Sequence, residues 1–465
     1  MIEKLRAEFD GTVLQPGDAG YEQARRVWNG LVDHRPAVIA RCTSTADVAA
    51  ALAYAQQEGL EVGVRGGGHN YAGVAVPEGG LTVDLRALNR VTVDPATRRA
   101  RCGGGALQAD LDAATQRYGL AVTGGTIGHT GVGGLTLGGG IGWLTRACGL
   151  AVDNLVATQV VLADGRVVRA SAVDHPDLLW ALTGGGGNFG VVTEFEFRLH
   201  AVGPIVHFGL QFWELERAAV GLRAARDVLD ALPRNAGGMI WVINAPPAPF
   251  VPEEHHFQAG VGLALVGLST PDAHAALMAG ARDAVRPLFE FATPMPYTAL
   301  QAMLDEAAAP GILAYGKSIY LEEFSDEAVA ALAALLPAKT SPMSLLPIFP
   351  LGGAYTDVDD DATAFGGTRS LRYAVNMDAV ASDPETLASD REWVRDLWSA
   401  LRPFAPHQGS YVNFMNENEY EQDRVRASYG PKYQRLARIK AAYDPGNVFH
   451  RNANIHPAGA DRCPA

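Results

Sequence analysis

Basic charge is in short supply in this 465-residue chain, where 38 Lys and Arg face 51 Asp and Glu for a formal net charge of -13 at pH 7. A nucleic-acid backbone needs a basic footprint, so nucleic acid is excluded as a partner. Cysteine is nearly as scarce. Cys42, Cys102, Cys148 and Cys463 lie far apart and form no C-x-x-C pair, which argues against a disulfide framework and a zinc site. Glu253-Glu-His-His256 follows a Pro-rich loop and lacks the helical spacing of a ligand set, so no metal is expected. No hydrophobic run is long enough to span a bilayer; the most apolar helix-like stretch, 328–336, is stopped by Pro337. Residues Met1 to Phe9 lack the apolar region of a secretory signal, and the cytoplasm is the expected location.

What is present reads as a globular enzyme-sized chain. Hydrophobic residues at 48% against 19% charged fit a soluble fold, and the length exceeds one ordinary core, so two large lobes are expected. Thr43-Ser-Thr-Ala-Asp47 supplies N-cap chemistry for a helix that Gly59 ends, and Glu61 to Val64 reads as a strand running into glycines. Two strand-like alternations follow at 81–85 and 90–94. A second unit has a helix over 107–118, a hairpin over 155–169 turning at Asp164-Gly165, and a strand over 191–199. From about 205 to 404 the texture shifts to Ala-rich helices, Pro-rich loops and strands such as 318–321, a separate lobe. Aromatic and Asn-rich motifs return after Gly409, so the C-terminus is expected to rejoin the first lobe.

Two motif matches fail on context. Gly311-Ile-Leu-Ala-Tyr-Gly-Lys-Ser318 fits the phosphate-loop pattern, but a strand over 318–324 follows where the mechanism needs a helix N-terminus. Gly185-Gly-Gly-Asn-Phe-Gly190 fits a dinucleotide fingerprint, but in the order helix, glycines, strand, the reverse of what that fingerprint requires.

Three glycine clusters survive: Gly66–Gly68, the long run 124–142, and 184–188. Consecutive glycines cost backbone entropy. A nest of N–H groups receiving a diphosphate repays it, and three nests within about 120 residues fit one large ligand lying across two α/β units.

In sequence order, Val64-Arg-Gly-Gly-Gly-His-Asn-Tyr-Ala-Gly73, Gly79 to Leu85, His129-Thr-Gly131, Leu137 to Gly140, Gly149-Leu-Ala-Val-Asp-Asn154, Gly184 to Thr193, Tyr411-Val-Asn-Phe414 and Tyr443 to Ile455 resemble the berberine-bridge-enzyme-like flavoproteins of the vanillyl alcohol oxidase/p-cresol methylhydroxylase superfamily. The resemblance covers nearly the whole chain and is weakest over 205–404. It implies an α+β, two-lobed fold: an FAD-binding domain of two α/β subdomains over 1–204 (core about 34–201), a substrate domain with a helix-covered antiparallel sheet over 205–404, and a segment 405–465 returning to the FAD domain. The cofactor it implies is FAD, bonded through its 8α-methyl carbon to His69. Relatives that add a second bond use a Cys four residues before a Gly-Val-Gly-Gly segment; that position is Ile127, so a single link is expected. Cys148 is expected to be a packed small residue.

The same resemblance assigns flavin contacts to Arg65, Gly66, Gly67, Gly68, His69, Asn70, Gly128, His129, Thr130, Gly131, Gly134, Gly138, Gly139, Gly142, Asp153, Asn154, Gly190, Val192, Asn413, Asn452 and Asn454. Tyr71 and Tyr411 are the catalytic candidates, with Thr130 at the position associated with oxygen access. A Tyr acts as a base only if a cation or hydrogen bonds lower its pKa, and Lys317 is one such cation. The strand over 344–351 offers no carboxylate. The expected activity is oxidation of a small organic or natural-product substrate by hydride transfer to FAD, with molecular oxygen as the second partner. The alternatives are a flavin monooxygenase or oxidative cyclase, and a flavoprotein that sequesters its ligand.

Overall fold

Serine 44 accepts a hydrogen bond from the backbone N–H of Asp47 and donates its own backbone N–H to the Asp47 carboxylate, both at 3.1 Å, in the computed structural model, which describes residues 2–406, 409–416 and 419–459. This capping box, worth about 1 kcal/mol, starts α1 (Thr45–Glu58), which stops at Gly59 as expected. Val48, Ala51, Leu52 and Ala55 on its inner face pack on a small sheet of β1 (Thr12–Leu14), β2 (Val38–Arg41), β3 (Val62–Arg65) and β4 (Leu81–Asp84). The order is β1-β2-β4-β3, with β2, β4 and β3 parallel. The C-terminal end of β3 therefore delivers Gly66–Gly68 to the edge of this unit, where ligands of parallel sheets bind.

The second unit is antiparallel throughout. It comprises β5 (Val91–Asp94), β6 (Arg99–Gly103), α2 (Gln108–Gln116), α3 (Val132–Gly138), β7 (Leu155–Val161), β8 (Val167–Ser171), α4 (Pro176–Leu182) and β9 (Val191–Arg198), with strand order β5-β6-β9-β7-β8. The hairpin β7–β8 turns at Asp164-Gly165 as its sequence dictates.

The third sheet has seven strands: β10 (Ile205–Glu214), β11 (Ala236–Asn244), β12 (Ala259–Gly267), β13 (Phe289–Pro296), β14 (Leu313–Leu321), β15 (Leu346–Pro350) and β16 (Tyr373–Ala381). They run antiparallel in the order β13-β10-β12-β11-β15-β16-β14. Helices α5 (Ala218–Asp230), α6 (Pro271–Ala284), α7 (Tyr297–Ala302), α8 (Asp326–Leu335) and α9 (Pro384–Leu401) complete the lobe. One sheet face packs on α5, α8 and α9 through Leu222, Leu332, Trp393 and Leu397. The other face meets the first lobe through Trp143, Leu150, Phe208, Trp241 and Phe349. Every residue of β16 is buried because both faces are covered. The Gly-Lys-Ser of the phosphate-loop match lies inside β14, which starts at Leu313, five residues earlier than expected; no helix follows to meet a phosphate.

After α9 the chain crosses back to the first lobe, with α10 (Gln422–Tyr429) and α11 (Tyr433–Tyr443) packed on the second unit through Val425, Tyr429, Leu436 and Ile439. Fully buried Lys440 ties this segment down, donating to Asn188 O at 2.6 Å, the Asp444 carboxylate at 2.6 Å and Phe449 O at 2.8 Å. A second buried ion pair bolts the lobes together, Arg369 gripping Asp153 at 2.7 and 3.0 Å. Breaking such a pair strands a buried charge, so Arg369→Ala should destabilise the fold by about 3–5 kcal/mol. Urea unfolding measures this; an unchanged midpoint would mean that the bolt carries no load.

Candidate active site

Between the lobes lies a cavity of about 1050 Å³, and all three glycine clusters reach it: Gly66–Gly68, Gly131 with Gly133 and Gly134, and Gly186, Gly187 and Gly190. The first two interlock backbone to backbone. A Cβ on Gly67 would lie 2.3 Å from the Gly131 nitrogen, and one on Gly131 would lie 2.3 Å from the Gly67 nitrogen, so neither position accepts a side chain. The backbone N–H groups of Gly67, Gly68, His69 and Asn70 find no acceptor among the described residues, and all four residues line the cavity. Across it, Asn452 presents a buried side-chain oxygen with no partner. Orphaned donors on a side-chain-free cradle are what an extended diphosphate cofactor requires, and these residues fit FAD.

His69 stands at the end of the first cluster. Its ring stacks on Trp28 at 5.1 Å and 18°, and its Nε2 lies 2.6 Å from His129 Nδ1. Burial, with His129 as the lesser cause, pushes its pKa down to about 3, so the imidazole is neutral at any working pH. His129 Nε2 in turn lies 3.3 Å from the Asp305 carbonyl, which only accepts. That carbonyl sets the tautomers along the chain: His129 carries its proton on Nε2, its Nδ1 accepts, and His69 donates from Nε2. The lone pair of His69 is therefore on Nδ1.

Two residues on, the Tyr71 hydroxyl donates to Asp378 Oδ1 at 2.6 Å. Asn376 Nδ2 donates to Asp378 Oδ2 at 2.7 Å. Burial pushes the Asp378 carboxyl up to about 7 and holds the Tyr71 hydroxyl well above its ordinary value, the adjacent carboxylate adding to the effect on Tyr71. Gly316 on β14 makes room for the pair: a Cβ there would lie 2.7 Å from Asp378 and 3.1 Å from the Tyr71 ring. Asp378 escaped the sequence reading. The available signal was the polar pair Asn376 and Asp378 at i and i+2 in an otherwise apolar strand, which places both on one face. The cation expected to activate Tyr71 is elsewhere. Lys317 neighbours Gly316, so strand alternation turns it to the helix-covered face, where it pairs with Glu419 at 3.0 Å and lies over Trp398.

The other expected site residues fall into two groups. Thr130, Val192, Tyr411 and Asn413 line the cavity, as does Ile127, which stands where a second flavin bond would need sulfur. The Tyr411 oxygen accepts from the Gly140 N–H at 2.7 Å and Asn413 Nδ2 at 2.9 Å, and burial pushes its pKa up to about 12. The second group stands outside the lining. Arg65 points under the loop to the Ala24 carbonyl, its pKa pushed down to about 10 by burial. Gly128 donates to Asp305 at 2.6 Å, Gly138 packs on Asn413, Gly139 on Phe365, and Gly142 on the Gly124 carbonyl. Asp153 is spent on Arg369. Asn154 holds the Cys148 and Leu150 carbonyls and His200, while Asn454 accepts from Gln422 through its backbone. Most of this group is bound or covered by neighbours that shape the cavity, while Arg65 Nε and Asn454 Oδ1 are buried without a partner. Cys148 is buried in the interlobe core, as expected of a packed small residue. Glu253–His256 forms no metal cluster, and none occurs among the described residues. No helix among them is long and apolar enough to cross a membrane.

Comparison with known proteins agrees with this geometry. The family model described as FAD binding domain matches residues 36–171, and that described as Berberine and berberine like matches 410–456. The chain is 31% identical over 462 residues to (R)-6-hydroxynicotine oxidase of Paenarthrobacter nicotinovorans, covering 97% of this chain and 98% of that protein. The crystal structure of 6-hydroxy-D-nicotine oxidase from Arthrobacter nicotinovorans superposes with a TM-score of 0.84 at 30% identity, covering 96% and 98% of the two chains. Glucooligosaccharide oxidase from Acremonium strictum, a protein with 6-S-cysteinyl, 8α-N1-histidyl FAD, shares the fold at 24% identity and a TM-score of 0.85, over 97% and 98%. The glycine cradle, the histidine at its end and the returning C-terminal segment thus have one origin: this chain belongs to the berberine-bridge-enzyme-like FAD-linked oxidoreductases of the vanillyl alcohol oxidase/p-cresol methylhydroxylase superfamily.

Proposed function

We propose that this FAD-dependent enzyme is an oxidase, taking a hydride from a small organic substrate, with FAD held covalently by His69 alone and O2 as the final acceptor. The observation that carries the reading is the 2.6 Å hydrogen bond from Tyr71 to Asp378 on the cavity wall. When bound, FAD supplies the two-electron acceptor. The chain's own residues manage the proton. As a C–O or C–N group is oxidised, its O–H or N–H proton passes to the Tyr71 oxygen, and the Tyr71 proton passes to Asp378. The net result is a carboxylic acid at Asp378, a buried group for which the neutral form is the comfortable one. Asn376 holds the carboxylate in line throughout. Tyr411, its oxygen saturated by Gly140 and Asn413, acts as a post that fixes the end of α3. Thr130, small and on the cavity wall, leaves the approach for oxygen.

Attachment follows from the tautomers. His69 Nε2 is committed to His129, so Nδ1 is the atom that would hold the flavin 8α carbon. His129 is a positioning residue: it orients the ring and can withdraw the Nε2 proton as the bond forms. In His129→Ala the covalent share of the flavin, read as colour retained in an acid precipitate, should fall several-fold while non-covalent FAD still binds; full retention would remove His129 from this role. For the reaction, a substrate panel under argon should contain compounds that bleach the flavin, and air should restore colour with release of hydrogen peroxide. Binding without bleaching would mark a sequestering protein, and bleaching without peroxide in air would exclude an oxidase.

A further inference from the structure

Residues 303–312 of the third-sheet lobe join α7 to β14 as a run of turns, a strap that crosses onto the first lobe. Its hydrogen bonds reach that lobe in two places. At one, the Gly311 N–H donates to the Trp28 carbonyl and the Gly30 N–H to the Ile312 carbonyl, both at 2.8 Å, while the Trp28 indole N–H donates to the Ala308 carbonyl at 2.7 Å. At the other, the Asp305 carboxylate accepts the Gly128 N–H at 2.6 Å, and the Asp305 carbonyl faces His129 Nε2 at 3.3 Å. Trp28 and His129 are the rings that flank His69. Trp28 stacks on it at 5.1 Å, and the His129 ring centre lies 4.7 Å away. Each neighbour of His69 is thus tied to the same strap.

The strap is itself fastened. Gln301, near the end of α7, donates to the Asp112 carboxylate of α2 at 3.0 Å, and both side chains are buried. The first N–H groups of α2 hold the other edge of the His129 loop, Gln108 donating to the Thr130 carbonyl at 2.9 Å and Ala109 to the Gly128 carbonyl at 2.8 Å. The loop 128–130 is therefore pinched. The first lobe holds its carbonyls, and the other lobe holds the Gly128 N–H and the His129 ring. Glycine at 128 answers this close approach, since a Cβ there would lie 2.8 Å from the Asp305 carboxylate. The consequence is chemical, because an imidazole takes its tautomer from the partner that cannot donate. With the Asp305 carbonyl in place, His129 accepts at Nδ1 and the His69 lone pair stays on Nδ1. With the strap lifted, His129 is free to donate from Nδ1 instead. That moves the His69 proton onto Nδ1, the atom the flavin needs bare.

We propose that Asp305 is a positioning residue for covalent flavin attachment, and that the strap makes attachment wait until the two lobes have docked. The inference rests on the reading that His69 is the linked residue. In the step it governs, the bond from His69 Nδ1 to the 8α carbon forms and one 8α C–H bond breaks. The His69 Nε2 proton goes to His129 and the 8α proton to solvent. The two electrons released reduce the flavin, which passes them with two protons to O2 as hydrogen peroxide.

The test follows attachment rather than turnover. Full-length chains made under riboflavin limitation are mixed with FAD in air, and the covalent share is read over time as colour kept in an acid precipitate. Asp305→Ala should slow attachment about 10- to 100-fold, the usual effect of losing a partner that orients a reacting group, while non-covalent FAD binds as in wild type. Asp305→Asn, whose amide oxygen still accepts from Gly128, should attach close to the wild-type rate. Trp28→Phe keeps a ring on His69 but cuts the tie to Ala308, and should also slow attachment. Because Asp305 acts through His129, adding Asp305→Ala to His129→Ala should cost little more. Wild-type attachment by Asp305→Ala, an Asp305→Asn as slow as Asp305→Ala, or losses that multiply in the double variant would overturn the proposal while leaving His69 as the link. Should Asp305→Ala not fold, attachment by Trp28→Phe at the wild-type rate would overturn it equally. A colourless wild-type precipitate would instead remove the covalent reading on which the proposal stands.

Discussion

Replacing Asp378 by Asn should lower kcat about 10²- to 10⁴-fold, the usual contribution of a positioned general base, while the protein folds and loads FAD as before. The substitution keeps the shape and lets the amide accept from Tyr71, but it removes the final proton acceptor. Tyr71→Phe should cost a similar factor, and the double variant little more, because the two act as one unit. The pH dependence has a definite sign. The carboxylate is the active form, and burial raises its pKa to about 7, so wild-type kcat should climb with pH through about 7 and level off above it. Stability should move the other way. A carboxyl that holds its proton more tightly when folded than when unfolded loses stability as pH rises from its unfolded pKa of about 4 toward 7. Asp378→Asn, neutral at every pH, should therefore melt above wild type at pH 8 and close to it at pH 5. A variant both less active and more heat-resistant at pH 8 is the signature of a costly functional charge; equal activity at pH 8 would eliminate Asp378 as the acceptor.

His69→Ala should abolish covalent attachment outright. Acid-precipitated wild-type protein should stay yellow and the variant pellet turn colourless; a colourless wild-type pellet would end the covalent assignment at once. The quantitative consequence lies in mass action. A covalently loaded protein has a Tm that ignores added FAD. The variant, still lined by the interlocked glycines and Asn452, should gain stability with FAD concentration, by about 2.7 kcal/mol at a hundredfold excess over Kd. The loss of the His69 ring from the Trp28 stack should add a smaller penalty that FAD does not reverse.

The cofactor side of the site was legible in the residues because backbone chemistry writes itself as glycine. Gly67 and Gly131 are glycine since each faces the other's nitrogen, and that demand is visible without a structure. Local elements were equally open: the Ser44 cap and the Asp164-Gly165 hairpin depend on residues within a few positions. The proposed proton acceptor was not, because Tyr71 meets Asp378 across 307 positions of chain and no local rule spans that distance. Lys317 misled for a related reason. It sits one residue from Gly316, against which Tyr71 packs, but in a strand one residue is the opposite face. Asp153 and Asn154 were legible as important without being legible in contact: Asp153 pairs with Arg369 across the lobes and Asn154 holds the Cys148 and Leu150 carbonyls within the first, which a motif cannot distinguish from touching the ligand.

The return of the chain to its first lobe dictates a calendar. Arg451 reaches back to the Val74 carbonyl, Ile455 to the Asn188 side chain, and Asn413 to the Leu135 carbonyl, each across roughly 270 to 380 residues. During translation, the β3 loop and the later glycine runs emerge long before the segment that completes their shared wall. The lobe on β10–β16 must also be made in between, with all its strands paired within its own sheet. The cofactor pocket is thus among the last features to exist, and FAD is acquired by an essentially finished polypeptide rather than by a nascent one. A ribosome-bound chain halted before residue 411 would carry His69 and all three glycine runs, yet should remain colourless.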